Sequence, residues 1–141
     1  MNLKDYIRTV PNFPKKGIMF RDVTTLFKNP KAFENAVEQF GKLWRNEKVE
    51  AIAGIDARGF IIGGALSLKF KVPFIALRKE GKLPYKTLTE DYDLEYGKAT
   101  LEIHNDAVAP GTHVLIVDDL IASGGTAMAG VNLIKATGGN I

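Results

Sequence analysis

The chain has 141 residues, no cysteine, and 19 Lys and Arg against 16 Asp and Glu. These numbers suit one globular domain with its own core, and they exclude disulfide scaffolds, cysteine-based zinc sites and thiol catalysis. The amino terminus, MNLKDYIRTV, lacks the apolar segment of a signal peptide, and no apolar run approaches the ~20 residues of a membrane helix, so a cytoplasmic location is expected. The small basic excess is compatible with phosphorylated small molecules and with nucleic acid.

The first strongly periodic segment is PKAFENAVEQFGKLWR, residues 30–45. It starts with proline and carries apolar side chains at helical spacing, which predicts an amphipathic helix. The stripe expected to face the core consists of Phe33, Val37, Phe40 and Trp44.

Further along, short apolar strands alternate with helices. Strands are predicted over 49–55, 72–78 and 113–117, and buried helices over 60–70 and 127–139, the last with Met128, Val131 and Ile134 on one face. Apolar strands that alternate with helices predict an α/β fold, a mostly parallel twisted sheet with helices on both faces. Ligands then bind at the carboxyl ends of the strands, in the loops after residues 55, 78 and 117.

Between these elements, KEGKLPYKTLTEDYD (79–93) is long, polar and poor in periodicity. This composition predicts a functional loop or flap rather than a core element. LEYGKATLEIH (94–104) predicts two short strands around Gly97 and Lys98.

The most informative stretch is HVLIVDDLIASGGT (113–126), where a strand ends in Asp118 and Asp119 and a glycine-rich loop leads into a helix. Glycines let backbone N–H groups converge on a phosphate, the helix amino terminus adds a positive end, and Ser123 and Thr126 offer hydroxyl donors. Two carboxylates can accept hydrogen bonds from vicinal hydroxyls, directly or through hydrated Mg²⁺. The stretch therefore indicates a ribose 5-phosphate site; aspartates that only cap a turn would not need this loop.

Better-known phosphate loops are excluded by their spacing. Gly54 and Gly59 have the Walker spacing but are followed by Phe60, and no strand is followed by Gly-x-Gly-x-x-Gly. An NTPase or a dinucleotide enzyme is not expected. His104 has no metal-ligand partner at useful spacing, and both histidines are expected to be structural or exposed.

The segment VLIVDDLIASGGT resembles the signature of the type I phosphoribosyltransferases, which bind 5-phosphoribosyl 1-pyrophosphate (PRPP). PNFPKKGIMFRDVTTL, DARGF, LRKEGKLP and DLEYGKATLEIHNDA resemble the adenine-specific branch of that family, in its order and spacing, so the resemblance covers nearly the whole chain. It implies a single domain over 1–141, with a purine-binding hood at 1–28 and a flexible flap or hairpin at 79–103. It also implies transfer of the phosphoribosyl group of PRPP to N9 of adenine, with Mg²⁺, in purine salvage by a homodimer.

Position by position, the resemblance assigns the two ends of PRPP. The 5-phosphate is expected on the loop residues Ala122, Ser123, Gly124, Gly125 and Thr126. Asp118 and Asp119 are expected to face the ribose hydroxyls or the water shell of magnesium carried by PRPP, with no direct protein ligand to the metal. Pyrophosphate is expected on the basic residues Arg58, Arg78, Lys79 and Lys82. A solvated loop remains an even alternative for the two lysines. The family often holds the Asp56–Gly59 turn in a strained or cis geometry.

The purine end is assigned in the same way. Met19 and Arg21 are expected to read the edge of adenine through their backbone while Phe20 stacks on its face. Glu95 corresponds to the acid near adenine N7 and is the candidate for acid/base catalysis. An exposed edge-strand glutamate and an ordinary core phenylalanine are the plain alternatives.

Two other functions stay open: a PRPP-sensing regulator that binds nucleic acid through a basic surface, and a phosphoribosyltransferase for another purine. The resemblance disfavours the regulator, because it would need neither Glu95 nor the hood; no nucleic-acid or membrane partner is expected. The chain ends at Gly138-Gly139-Asn140-Ile141, where the family begins a further strand, so a shortened form with an unpaired sheet edge is expected.

Overall fold

The computed structural model describes residues 1–94 and 97–141. They form two compact units, Met1–Arg45 and Asn46–Ile141. The predicted hood belongs to the first unit and the predicted flap to the second. Within the described ranges, no helix is both long and apolar enough to cross a membrane.

The first unit contains a β-hairpin and two helices. A 3₁₀ turn (Leu3–Tyr6) precedes β1 (Arg8–Pro11), β2 (Met19–Asp22), α1 (Thr24–Lys28) and α2 (Pro30–Trp44). β1 and β2 pair antiparallel. α2 starts as predicted, with Pro30 in its first turn and the Asn29 side chain accepting a hydrogen bond from the Ala32 N–H at 3.1 Å.

The buried face of α2 differs from the prediction. Its buried residues are the small ones, Ala32, Ala36 and Gly41. Phe33 packs against the edge of this small cluster and is only half-buried, and Trp44 is 38 % exposed. The prediction of a core stripe of large side chains is wrong, because the buried residues of α2 that cluster with Leu26 of α1 are small ones.

The second unit is built on one five-stranded sheet. Its elements are β3 (Ala51–Ile55), α3 (Arg58–Phe70), β4 (Phe74–Lys79), β5 (Thr87–Asp93), β6 (Lys98–His104), β7 (Val114–Val117) and α4 (Gly125–Ala136). The strand order is β5-β6-β4-β3-β7. β3 is parallel to β4 and β7, whereas β6 is antiparallel to β4 and β5. The α/β class is confirmed, and the sheet is mixed because a hairpin joins one edge.

Helices α3 and α4 cover opposite faces of this sheet. β3 contributes Ala51, Ala53 and Ile55 to the main core cluster, which also contains Leu133 and Ile134 of α4. The alternate residues of the strands face α3, where the Phe74 ring fills the space beside Gly54 of β3 and Gly63 of α3.

On α4 the sheet-facing residues are Ala129, Gly130, Leu133 and Ile134, while Met128 is 57 % exposed. The predicted face is therefore wrong except at Ile134. Because α4 is apolar nearly all round, its periodicity does not select a face.

Residues 87–93 form strand β5 rather than the loop that their composition predicts, within the stretch for which the resemblance implies a flap or hairpin. β5 pairs with β6 along its whole length, from Thr87 opposite His104 to Asp93 opposite Lys98. β6 is the strand found among the described residues of 94–104, and the first of the two strands predicted there includes residues outside the described ranges; residues 80–86 form a loop before β5. Leu88 and Tyr92 pack against the core cluster, but two apolar residues in a polar stretch are too weak a pattern to indicate a strand.

The last residues lie beside the start of β7. His113 and Asn140 form a parallel bridge, in which Asn140 N donates to Thr112 O and Val114 N donates to Asn140 O, both at 2.8 Å. The β7 edge that the sequence predicts to be unpaired thus has a partner at this point.

Candidate active site

A cavity of about 410 Å³ opens in the second unit at the carboxyl ends of β3 and β7. Its wall comes from the turn after β3, the end of β4, the β5–β6 hairpin and the segment after β7. Predicted site residues in this wall are Arg58, Lys79, Asp118, Asp119 and Thr126. The location agrees with the rule that open α/β sheets bind ligands at the carboxyl ends of their strands.

Asp118 and Asp119 form the acidic side of the cavity. Asp119 is nearly buried, and its Oδ2 lies 2.7 Å from Nε of Arg58. Asp118 Oδ1 accepts a hydrogen bond from the Asp119 N–H at 2.8 Å. Burial, followed by the hydrogen bond to the Asp119 carboxyl group and the charge of Asp119, raises the pKa of Asp118 to about 6.

A second, smaller cavity of about 100 Å³ lies inside the glycine loop. Its lining includes all the residues predicted to hold the 5-phosphate, Ala122, Ser123, Gly124, Gly125 and Thr126. Asp118, Leu120 and Thr126 line both cavities, so the two adjoin.

The backbone of the loop shows why glycine stands before the helix. Gly124 has φ +89° and is the N-cap of α4, a conformation that costs an L-residue roughly 1–2 kcal/mol. The first N–H groups of α4 have no partners within the helix, and they supply donors and a partial positive charge at this cavity.

The turn after β3 brings Arg58 to the site. The Asp56–Ala57 peptide is cis, as the resemblance predicts. α3 starts directly after it, and Gly59 lies so close to the end of β7 that an added Cβ would be 2.8 Å from Val117 O and 3.2 Å from Asp118 Oδ1. The close approach sets α3 against the strand that carries the aspartates.

The four residues predicted to bind pyrophosphate do not all lie in the wall of the larger cavity. Lys79 lines the larger cavity. Arg78 is not part of its lining: Nε of Arg78 bonds Asp56 Oδ2 at 3.2 Å and the guanidinium lies 5.7 Å from the centre of the Phe60 ring. Lys82 is exposed in the 80–86 loop. Adjacent strand residues point to opposite faces, so Arg78 and Lys79 diverge.

The residues predicted to bind the purine belong to the first unit, apart from Glu95. Met19, Phe20 and Arg21 all lie on β2 in the first unit. Met19 is 54 % exposed, the Phe20 ring contacts the Phe13 ring edge-on at 5.1 Å, and the Arg21 guanidinium donates to Thr9 Oγ1. Glu95 lies outside the described residues.

Several wall residues escape prediction from sequence. Asp56 and Leu120 lie beside predicted residues in the chain, and Tyr92, Ala99 and Leu101 come from the β5–β6 hairpin. Asp56 and Leu120 could have been predicted because they are adjacent in the chain to the predicted site residues. The hairpin residues could be predicted only from the register between β5 and β6.

The carboxylates suit a metal carried by the ligand. Over residues 1–94 and 97–141, no group of three or more His, Cys, Asp or Glu side chains is placed to hold a metal ion. Mg²⁺ dehydrates reluctantly and usually keeps several waters when it binds substrate phosphates. Asp118 and Asp119 at the cavity wall suit hydrogen bonds from such a water shell.

The fold and the site define a class of protein, an α/β domain in which a strand ends in two aspartates beside a glycine loop, with adjoining cavities at the carboxyl edge of the sheet. The chain belongs to the phosphoribosyltransferase family, since the family model described as phosphoribosyl transferase domain matches residues 22–140. Its relatives are adenine phosphoribosyltransferases. The protein of that name from Dinoroseobacter shibae is 56 % identical over 139 residues, covering 99 % of this chain and 78 % of the relative.

Solved structures agree with this placement. The adenine phosphoribosyltransferase of Thermoanaerobacter pseudethanolicus superposes with a TM-score of 0.96 at 47 % identity, covering 99 % of this chain and 81 % of that one. The enzyme of Saccharomyces cerevisiae, complexed with an imino-altritol bisphosphate and adenine, has a TM-score of 0.93 at 37 % identity, with 99 % and 81 % covered. The predicted family and fold are confirmed.

Proposed function

We propose that this chain transfers the phosphoribosyl group of PRPP to N9 of adenine, giving AMP and pyrophosphate in purine salvage. The observation that carries the proposal is the pair of adjoining cavities, one lined by the glycine loop and one by Asp118, Asp119, Arg58 and Lys79. Relatives with 47 % and 56 % identity bear the name adenine phosphoribosyltransferase, and a yeast relative binds adenine beside a sugar bisphosphate analogue.

The 5-phosphate of PRPP binds in the smaller cavity. Backbone N–H groups at the start of α4 donate to its oxygens, and the Ser123 and Thr126 hydroxyls add two donors. Because these donors are fixed by the loop and helix, they anchor the ribose without rearrangement on binding.

The ribose and the metal bind at the acidic wall between the cavities. Asp118 and Asp119 accept hydrogen bonds from the ribose hydroxyls or from water on Mg²⁺. When bound, Mg²⁺ neutralises pyrophosphate as the leaving group. Arg58 and Lys79 border the same cavity and place positive charge where pyrophosphate departs. Arg78 and Lys82 remain predictions as pyrophosphate ligands.

The purine end rests on the sequence resemblance. Met19, Phe20 and Arg21 hold adenine, and Glu95 shares a proton with adenine N7 as charge shifts onto the purine during departure of pyrophosphate. The homodimer, the cytoplasmic location and the Mg²⁺ requirement also stay predictions.

The decisive experiment is steady-state turnover of this 141-residue chain with PRPP and Mg²⁺, followed by pyrophosphate release. Adenine, guanine, hypoxanthine and xanthine are compared side by side. We expect turnover with adenine far above turnover with the other three bases. Glu95→Gln is expected to lower kcat and to change the KM for PRPP less. Equal or better turnover with a 6-oxopurine would overturn the adenine assignment.

Salt-dependent binding of duplex DNA in place of turnover would favour the regulator instead.

A further inference from the structure

Glu102 is a buried acidic residue outside the cavity wall. It lies in the middle of β6 with 6 % of its surface exposed, between Leu101 and Ile103 of the main core cluster. Those neighbours face α4, so Glu102 points to the opposite face of the sheet. A buried carboxylate is costly unless its oxygens are hydrogen-bonded, so its partners indicate its role.

Both oxygens of Glu102 bond to the stretch that joins β4 to β5. Oε1 accepts from the Gly81 N–H at 2.7 Å, and Oε2 accepts from the Thr87 hydroxyl at 2.9 Å. These donors are uncharged and lie near the two ends of the 80–86 loop. Among the described residues, no Lys or Arg forms an ion pair with Glu102. The carboxylate is therefore directed to this loop.

Other bonds from β6 and the residues just after it hold the same loop near its ends. Glu80 N donates to Thr100 O at 3.2 Å and Asn105 N donates to Lys86 O at 2.9 Å. Tyr85 N donates to His104 Nε2 at 3.3 Å. Glu102 is the one side chain among these contacts that holds Gly81, whose φ of +81° and missing side chain leave only its backbone for anchoring.

Gly81 stands between two lysines that matter to the proposed reaction. Lys79 lines the larger cavity two residues before it, and Lys82 follows it directly. A shift of Gly81 would move both ammonium groups relative to the pyrophosphate site.

We propose that Glu102 is a positioning residue for pyrophosphate: by clamping Gly81 and Thr87 it sets where Lys79 and Lys82 present their charge. This role rests on the proposed phosphoribosyl transfer. It assigns to Glu102 no contact with substrate.

Thr87→Val tests the clamp, since it removes one hydrogen bond and keeps the side-chain shape. We expect the KM for PRPP and the Kd for magnesium pyrophosphate, measured by titration calorimetry, to rise about three- to tenfold, the size of one hydrogen bond. The KM for adenine is expected to stay at the parental value. Thr87→Ser keeps the hydroxyl and should restore both constants.

Thr89→Val is the matched control, because Thr89 is on the same strand, opposite Glu102 in register, with its hydroxyl not bonded to that carboxylate. It is expected to behave as the parent. Glu102→Gln is a second test: its amide oxygen can accept from Gly81 and its NH₂ can donate to the Thr87 hydroxyl oxygen, so near-parental constants are expected.

The clamp is overturned if Thr87→Val keeps parental PRPP and pyrophosphate constants while only its Tm falls, or if its KM for adenine rises equally. Loss of pyrophosphate binding in Glu102→Gln together with parental Thr87→Val would overturn it too. A parent chain that turns over neither adenine nor another base would instead overturn the proposed function, and with it the clamp.

Discussion

Asp118 and Asp119 are adjacent in the chain, but their carboxyl groups have different surroundings. Asp119 lies against the Arg58 guanidinium at 2.7 Å. Asp118 loses hydration beside another carboxyl group, and its pKa is raised to about 6, with burial as the leading cause. The charge of Asp118 therefore changes within a working pH range.

PRPP binding is expected to depend on pH through Asp118. The proposed ligand contacts need its carboxylate, so binding below about pH 6 must release a proton, and affinity should fall by up to about tenfold per pH unit below that value. The measurement is the Kd for magnesium PRPP from pH 5 to pH 8.

Asp118→Asn is the control for titration of the ligand, whose 5-phosphate also has a pKa near 6. It should bind more weakly at pH 8 and have a shallower pH profile than the parent. Parallel profiles would show that Asp118 does not titrate on binding.

The raised pKa of Asp118 affects the stability of the fold in the opposite direction to ligand binding: stability falls as the pH rises. The folded state binds the extra proton between about pH 4 and pH 6, so the free energy of unfolding falls as pH rises through that window.

At the scale of elements, the site depends on how closely α3 meets the end of β7. A Cβ on Gly59 would be 2.8 Å from Val117 O, and this contact is backbone that cannot turn aside. Gly59→Ala is expected to cost roughly 1–3 kcal/mol of stability, as overpacking does, and to weaken PRPP binding by displacing Asp118. Urea unfolding and PRPP titration measure the two effects.

Gly64→Ala is the matched control on the same helix, since an added Cβ there meets nothing within 4 Å. It should stabilise the chain by about 0.5–1 kcal/mol and leave PRPP affinity unchanged. Similar PRPP affinities for the two variants would contradict a role for this close contact in the site.

The elements themselves could be predicted where their patterns were strong. α2, α3, β3, β4 and β7 are found within a few residues of their predicted positions. Composition and periodicity did not predict strand β5, because β5 is polar on one face and is specified by pairing with β6; only the family resemblance implied a hairpin there. The buried face of α2 was missed because its buried residues are small rather than large, and that of α4 because the helix is apolar nearly all round.

At the scale of the whole molecule, the PRPP cavities lie within one of the two compact units, Asn46–Ile141. Magnesium PRPP should stabilise the chain by about 2.7 kcal/mol at a free concentration of 100 times its Kd. With EDTA the increase in the free energy of unfolding should be much smaller, because the negative charges of PRPP and of Asp118 and Asp119 then repel each other without Mg²⁺ to neutralise them. Thermal unfolding followed by circular dichroism measures this; equal stabilisation with and without EDTA would contradict the proposed role of the metal.

The amino-acid sequence by itself determined the family, the α/β class and the glycine loop proposed to bind phosphate, because the residues of such a loop are contiguous and their chemistry is local. Only the tertiary structure decided that Lys79 and not Arg78 lines the cavity, that Arg58 pairs with Asp119, and that Glu102 clamps the loop. These outcomes join residues from different strands. They depend on register and on which face of the sheet a side chain takes, which no short stretch of sequence specifies.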